Sequence, residues 1–130
     1  MSEDQIKTLG GLGAAGDAVI KGIDTPWFRY FIDYDPRPTL RKVKVPVLAL
    51  NGSLDLQVPP DPNLPEIQKA LKQAGNRGKD VTVRLLPGLN HLFQPATTGS
   101  PAEYGVIETT IDPQVLGLVT DWITKRFVKP

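Results

Sequence analysis

Two short runs of β-branched and aliphatic residues, separated by one helical segment, limit most strongly what this chain can fold into. The first run, residues 45–50, is continuously apolar, which is typical of a strand covered on both faces. In residues 65–74 the apolar positions recur at helical spacing, and residues 81–86 form the second run. Strands that alternate with helices favour parallel pairing through a right-handed crossover. We therefore predict an α/β fold with two parallel strands and flanking helices.

Capping residues predict two further helices. Thr25 suits the N-cap and Pro26 the first turn of a short aromatic helix, which ends at the prolines of residues 35–38. Asp112 and Pro113 suit the start of a C-terminal helix with one broad apolar face. The residues of that face are Val115, Leu116, Leu118, Val119, Trp122, Ile123 and Phe127. Elsewhere we predict a weak helix over residues 3–22, loops over 55–63 and 88–111, and a C′ position for Gly75.

The composition argues against several classes of function. Fifteen basic and fourteen acidic residues leave a formal net charge of +1, without the basic stripe typical of nucleic-acid binding. The absence of cysteine excludes disulfides and a thiolate nucleophile, and a single histidine excludes a histidine-rich metal site within one chain. We expect no signal peptide, no membrane span, no cofactor and a cytoplasmic location.

Two further sequence patterns are compatible with ligand binding, but we expect both to have a structural role. Residues 11–16 spell Gly-x-Gly-x-x-Gly, but no buried strand precedes them, as a dinucleotide-binding site requires. We interpret them as a flexible glycine segment. The aromatic residues of 27–34 are compatible with a ligand cage, but we expect them to pack against the sheet.

Asp55 and His91 are the candidate catalytic residues. Asp55 lies just past the first predicted strand, and His91 lies five residues beyond the second. Catalytic groups gather at the carboxyl ends of parallel strands, so both side chains are expected at the same rim of the sheet. A carboxylate that accepts the imidazole Nδ1 proton would fix the tautomer and stabilise the imidazolium formed in catalysis. Taken singly, such an aspartate is more often a turn residue and such a histidine a surface residue.

The third member of a hydrolytic triad is missing from the sequence. Its serine would sit on a Gly-x-Ser-x-Gly turn, and none of the three serines, Ser2, Ser53 and Ser100, has that setting. Ser53 is a poor substitute because it lies two residues from Asp55 and on no strand-to-helix elbow. We therefore predict an acid and a histidine without a nucleophile.

Most of the chain, from Trp27 to Phe127, resembles the C-terminal part of an α/β-hydrolase. It is most similar to the serine esterases and acyl-peptidase-like hydrolases that carry a cap domain. The resemblance is carried by PWFRYF (26–31), DYDP (33–36), PVLALNG (46–52), DLQVP (55–59), LPGLNHLF (86–93) and TGSPAEYG (98–105). It implies that the two strands are the last two of the central sheet, with Asp55 as the triad acid and His91 as the triad histidine. Residues 1–25 would then be a leader or cap remnant, and 26–130 the hydrolase-like subdomain.

The resemblance implies a partial hydrolase fold, because these 130 residues lack the earlier strands, the nucleophile elbow and the oxyanion loop. We expect the chain to be inactive alone in ester or peptide hydrolysis. The alternatives are a non-catalytic self-associating or partner-binding module, one half of a split serine hydrolase, and a truncated chain. The open edge of strand 45–50 invites pairing with another chain. We predict either a homodimer with antiparallel pairing of these strands across a two-fold axis, or a complex with a complementing chain.

Overall fold

The computed structural model of the chain describes residues 24–74 and 80–128, together with Gly13 and Gly22. The chain divides after Asp35 into two compact units, Met1–Asp35 and Pro36–Pro130. The boundary predicted after residue 25 stays a prediction. The predicted C′ role of Gly75 lies outside the described residues. So does the Gly-x-Gly-x-x-Gly segment, except for Gly13, and so does the weak helix, except for Gly13 and Gly22.

The first unit contains helix α1, Pro26–Asp33, which begins where its capping residues predict. The Thr25 hydroxyl accepts a hydrogen bond from the backbone N–H of Phe28 at 3.2 Å, and Pro26 starts the first turn. Within the helix the Trp27 and Phe31 rings stack with centroids 5.5 Å apart. Both rings stay largely exposed. The packing of these aromatic residues against the sheet stays a prediction.

The second unit is built around one pair of parallel strands. Its elements are helix α2 (Arg37–Leu40), strand β1 (Val47–Gly52), helix α3 (Pro60–Lys72), strand β2 (Val81–Leu86), a 3₁₀ turn (Pro101–Glu103) and helix α4 (Pro113–Phe127). The strands pair in parallel, with Val47 opposite Val81 at one end and Gly52 opposite Leu86 at the other. The prediction of helices with a two-stranded parallel sheet is confirmed.

Some predicted boundaries were wrong. β1 begins two residues after residue 45 and continues to Gly52, because Asn51 and Gly52 stay paired with β2. α3 begins at Pro60, inside the stretch predicted as a loop, since proline is tolerated in a first helical turn. Asp61, at φ −105° and ψ 122°, interrupts that turn. The short helix α2 was not predicted at all.

The core of the second unit lies between the sheet and α3. Its most buried side chains include Leu64, Ala70 and Leu71 of α3, together with Leu89 and Val115. Strand β1 is half-buried over its first four residues and buried at Asn51 and Gly52, and its full cover on both faces stays a prediction.

Polar contacts attach α4 to β2. The Arg126 guanidinium donates two hydrogen bonds to the Asp80 carboxylate, at 2.6 and 2.7 Å, and lies 4.3 Å from the Trp122 ring centre. The Trp122 indole N–H donates to the Thr82 hydroxyl at 3.1 Å. Of the predicted apolar face of α4, only Val115 is buried.

Candidate functional site

A close approach of two backbone segments brings the loop after β1 against the loop after β2. At Gly52 an added Cβ would lie 2.2 Å from the carbonyl oxygen of Leu89, so no larger residue fits without moving the backbone. Two hydrogen bonds join the same loops: the Leu54 N–H donates to the Leu89 carbonyl at 2.9 Å, and the Gly88 N–H donates to the Ser53 hydroxyl at 2.8 Å. The two loops therefore form one connected rim.

Buried amide side chains hold the turn that carries His91. The Asn90 side chain is fully buried, and its oxygen accepts hydrogen bonds from the backbone N–H groups of Leu92 and Gln94, both at 3.0 Å. Its nitrogen donates to the Gln94 side-chain oxygen at 2.9 Å. Gln94 in turn donates to the Thr109 carbonyl at 2.9 Å. The position of His91 thus depends on a satisfied network rather than on an exposed, unsupported loop.

The Asp55 carboxylate is buried and accepts hydrogen bonds from its own loop and from β1. One oxygen accepts from the backbone N–H groups of Gln57 and Val58, at 3.0 and 2.8 Å. The other accepts from the Asn51 side-chain amide at 2.9 Å, and that amide also donates to the Val58 carbonyl at 3.1 Å. Asn51 is itself buried at the end of β1. These hydrogen bonds therefore orient the Asp55 carboxylate even without the contact with His91.

The two residues predicted from the sequence are in contact. The His91 Nδ1 atom lies 3.1 and 3.0 Å from the two carboxylate oxygens of Asp55. Its side chain is 37% exposed, whereas that of Asp55 is 6% exposed. Among the described residues, no group hydrogen-bonds to the other ring nitrogen, Nε2. With the Nδ1 proton donated to Asp55, Nε2 is the nitrogen with a lone pair for chemistry.

The environment of Asp55 favours its ionised form. Burial would raise the pKa of Asp55, since it penalises the charged carboxylate. The hydrogen bond from the Val58 N–H, the contact with His91 and the hydrogen bond from the Gln57 N–H outweigh burial. The pKa of Asp55 therefore lies below its ordinary value, and the site holds a negative charge beside the imidazole.

The neighbouring loop is secured by a second carboxylate. Gly99 has φ of 80°, and a Cβ there would lie 1.9 Å from the Leu54 carbonyl oxygen, so this contact needs glycine. The Glu103 carboxylate accepts hydrogen bonds from the backbone N–H groups of Thr98 and Gly99, both at 3.0 Å. Burial alone would raise the pKa of Glu103, but these hydrogen bonds outweigh it and lower the pKa.

The two described serines have structural contacts. The Ser53 hydroxyl accepts the Gly88 N–H, and the Ser100 hydroxyl accepts the Ala102 N–H at 3.3 Å as the N-cap of the 3₁₀ turn. Ser2 lies outside the described residues. The described part of the chain therefore offers no serine with the setting of a nucleophile elbow.

A groove of about 410 Å³ lies beside the Asp55–His91 pair and runs along β1. Its walls are mainly apolar and include Val58, Leu64 and Ile67, while Asp55 and His91 also line it. An apolar groove with a few convergent polar groups is the usual form of a small-molecule or peptide site. The pair is thus accessible from a surface depression.

The described residues lack the features of two other classes of site. No group of three or more histidine, aspartate or glutamate side chains among them is placed to hold a metal ion. No helix in the same part of the chain has the length and hydropathy needed to cross a lipid bilayer.

Sequence reasoning identified Asp55 and His91 but not the residues that hold them. Asn51, Asn90 and Gln94 are buried and satisfied, yet a single amide at a strand end or in a turn has no periodic signal in a sequence. Comparisons with protein-family models, curated proteins and solved structures gave no match.

Proposed function

We propose that this chain is an α/β-hydrolase-like polypeptide that carries the acid and the histidine of a Ser-His-Asp site and is inactive alone in ester or peptide hydrolysis. The contact between the buried Asp55 carboxylate and His91 Nδ1, at 3.0 and 3.1 Å, carries the proposal. It leaves Nε2, the nitrogen that takes the proton of a nucleophile in such sites, without a partner among the described residues.

The state of the Asp55 carboxylate favours a functional histidine over a purely structural one. Three donors, namely the Asn51 amide and the backbone N–H groups of Gln57 and Val58, already satisfy Asp55. A buried carboxylate with those partners does not need an imidazole for its own stability. The partly exposed ring of His91 is therefore the group that gains orientation from the contact.

In the proposed chemistry, His91 acts as the base for a hydroxyl supplied from outside these 130 residues. The hydroxyl would give its proton to Nε2 as its oxygen attacks an acyl carbon, whose carbonyl oxygen takes the negative charge, and Asp55 would stabilise the imidazolium that results. As the carbonyl re-forms, the bond to the leaving alcohol or amine would break, and the imidazolium would return its proton to that group. Ser53 is not assigned this role because its oxygen already accepts the Gly88 N–H. Without a nucleophile and oxyanion donors, the pair alone provides little transition-state stabilisation.

A serine-directed probe tests the inactivity of the chain. The purified protein is treated with a fluorophosphonate and, separately, with an unactivated ester. We expect no phosphonylated serine and no ester hydrolysis beyond that of His91→Ala. Ser53→Ala serves as a matched control in the same rim. Phosphonylation of Ser53 or Ser100 that is lost in His91→Ala would overturn the proposal.

Alkylation of the single histidine tests the second part of the proposal, that Asp55 and His91 form an acid–histidine pair. We expect iodoacetamide to modify His91 at Nε2, because Asp55 keeps the proton on Nδ1. Asp55→Asn should slow the reaction, and two-dimensional NMR of the product identifies the alkylated nitrogen. Alkylation at Nδ1, or an equal rate in Asp55→Asn, would contradict an acid–histidine pair.

A further inference from the structure

We propose that a second copy of this chain pairs with the free edge of β1, in an antiparallel register centred on Ala49. The free edge is the side of β1 that faces away from β2. The proposal rests on the backbone groups of that edge and on the groove beside it. It does not depend on the hydrolase proposal, and its test measures association rather than activity.

The hydrogen bonds between the strands define which groups of β1 lie on the free edge. The Val47 N–H donates to the Asp80 carbonyl and the Ser53 N–H to the Leu86 carbonyl, both at 2.9 Å. Successive residues of a strand direct their N–H and C=O groups to opposite sides. Those of Leu48 and Leu50 therefore face away from β2, where no strand pairs with them in the described part of the chain.

β1 lacks two of the features that keep exposed strand edges from pairing, namely charged residues and proline. Its six residues, Val47–Gly52, include no charged residue and no proline. Natural edge strands are usually protected by lysine, proline, bulges or a covering segment. A sheet of two strands also gains stability when a further strand is added. This edge is therefore suited to receive an extended polypeptide backbone.

The free groups are complementary to their own copy about a two-fold axis. In an antiparallel pair, Leu48 lies opposite Leu50 of the partner subunit, and each residue offers the other one donor and one acceptor. The symmetric pair repeats this exchange, so all the free groups of both leucines are used. Ala49 then faces its own copy at the axis, where its small side chain permits the Cα separation of about 4.5 Å of a non-hydrogen-bonded pair.

Charge and shape also favour a second copy as the occupant. The strand is uncharged and the whole chain has a formal net charge of +1, so two copies do not repel each other strongly. The groove beside the free edge has apolar walls that include Leu64 and Ile67. In the proposed register, Val47 of the partner subunit lies opposite Asn51, near the Asp55 end of that groove.

Single cysteine substitutions test the register. The sequence contains no cysteine, so one introduced thiol reports on one position. Ala49→Cys should form an intermolecular disulfide under mild oxidation, because facing residues of a non-hydrogen-bonded pair have Cβ atoms within reach of a disulfide. Val47→Cys is the matched control on the same face of the strand. Its two thiols would be offset by roughly 13 Å, and we expect cross-linking at least about tenfold slower.

Amide hydrogen exchange of the unmodified chain provides a second measurement that needs no variant to fold. We expect the Leu48 and Leu50 amides to become protected as protein concentration rises, while the Val47 and Ala49 amides are protected throughout. A folded monomer with fast exchange at Leu48 and Leu50 would overturn the proposal and leave the edge to a different polypeptide. Equal cross-linking of the two cysteine variants would also overturn it, because it would rule out this register.

Discussion

Asp55 and His91 are held in contact by residues from three short segments of the chain. β1 supplies Asn51, the following loop supplies the backbone N–H groups of Gln57 and Val58, and the turn after β2 supplies His91. Each donor favours the ionised carboxylate, and together they outweigh its burial. At the scale of residues, the charge of Asp55 is therefore part of the stability of the fold.

This charge predicts a specific loss of stability in acid. Because the folded-state pKa of Asp55 is lowered, its contribution is fully present above the unfolded pKa of about 3.9 and is lost as pH falls through the folded value. Asp55→Asn should remove that part of the pH dependence and also lower stability near neutral pH. Urea denaturation from neutral pH to about pH 2 measures both effects. Asp24, Asp80 and Glu103 keep some acid dependence in the variant, since their pKa values are lowered too.

The proton position on His91 is a second prediction at this scale. In the unmodified chain the neutral ring should carry its proton on Nδ1, because that nitrogen lies 3.0–3.1 Å from the Asp55 oxygens. Asp55→Ala removes the acceptor, and the protonated nitrogen should change in part to Nε2. Long-range ¹H–¹⁵N NMR identifies the protonated ring nitrogen, and its signals do not overlap because the chain has one histidine. Ser53→Ala should leave the spectrum as it is; a matching change in that control would refute the assignment to Asp55.

Two glycines, one at the end of β1 and one inside α4, have opposite effects on stability. Gly52 ends β1 against the Leu89 and Asn90 carbonyls, whereas Gly117 lies inside α4 with open space around it. Gly52→Ala should lower the unfolding free energy by about 1–3 kcal/mol, because the backbone of the His91 turn must move. Gly117→Ala should raise it by about 0.5–1 kcal/mol, since alanine favours the helix. Chemical denaturation of both variants measures the contrast. An unchanged unfolding free energy in Gly52→Ala would contradict this prediction, because it would show that the loop backbone moves without cost.

The elements differ in how far the sequence predicts them. β2 and the N-caps of α1 and α4 follow from local patterns, because capping and β-branched runs act over a few residues. The start of α3 does not, because the prolines at positions 60 and 62 indicate a loop and tertiary packing decides otherwise. The contact of Asp55 with His91 follows from parallel topology. Its supporting amides do not, because each depends on a non-local partner.

For the whole molecule, the described residues bury few large side chains. Leu71 is the largest fully buried apolar one, and Leu116, Ile123 and Phe127 of α4 remain exposed. Small domains with little buried surface are marginally stable on their own. Added strands or a partner would therefore contribute a substantial share of the stability, which is the physical setting of the proposed pairing at Leu48 and Leu50.

If two copies pair through β1, stability must depend on protein concentration. Mass action makes the unfolding free energy of a dimer rise by about 1.4 kcal/mol for each tenfold increase in concentration. The denaturation midpoint of the unmodified chain should therefore rise over a hundredfold range, taken here as roughly 2 to 200 μM. The oxidised Ala49→Cys dimer is the control, because a covalent link makes unfolding unimolecular and its midpoint should not change. A midpoint of the unmodified chain that is equally constant would place its stability within one chain, with β1 unpaired on its outer edge.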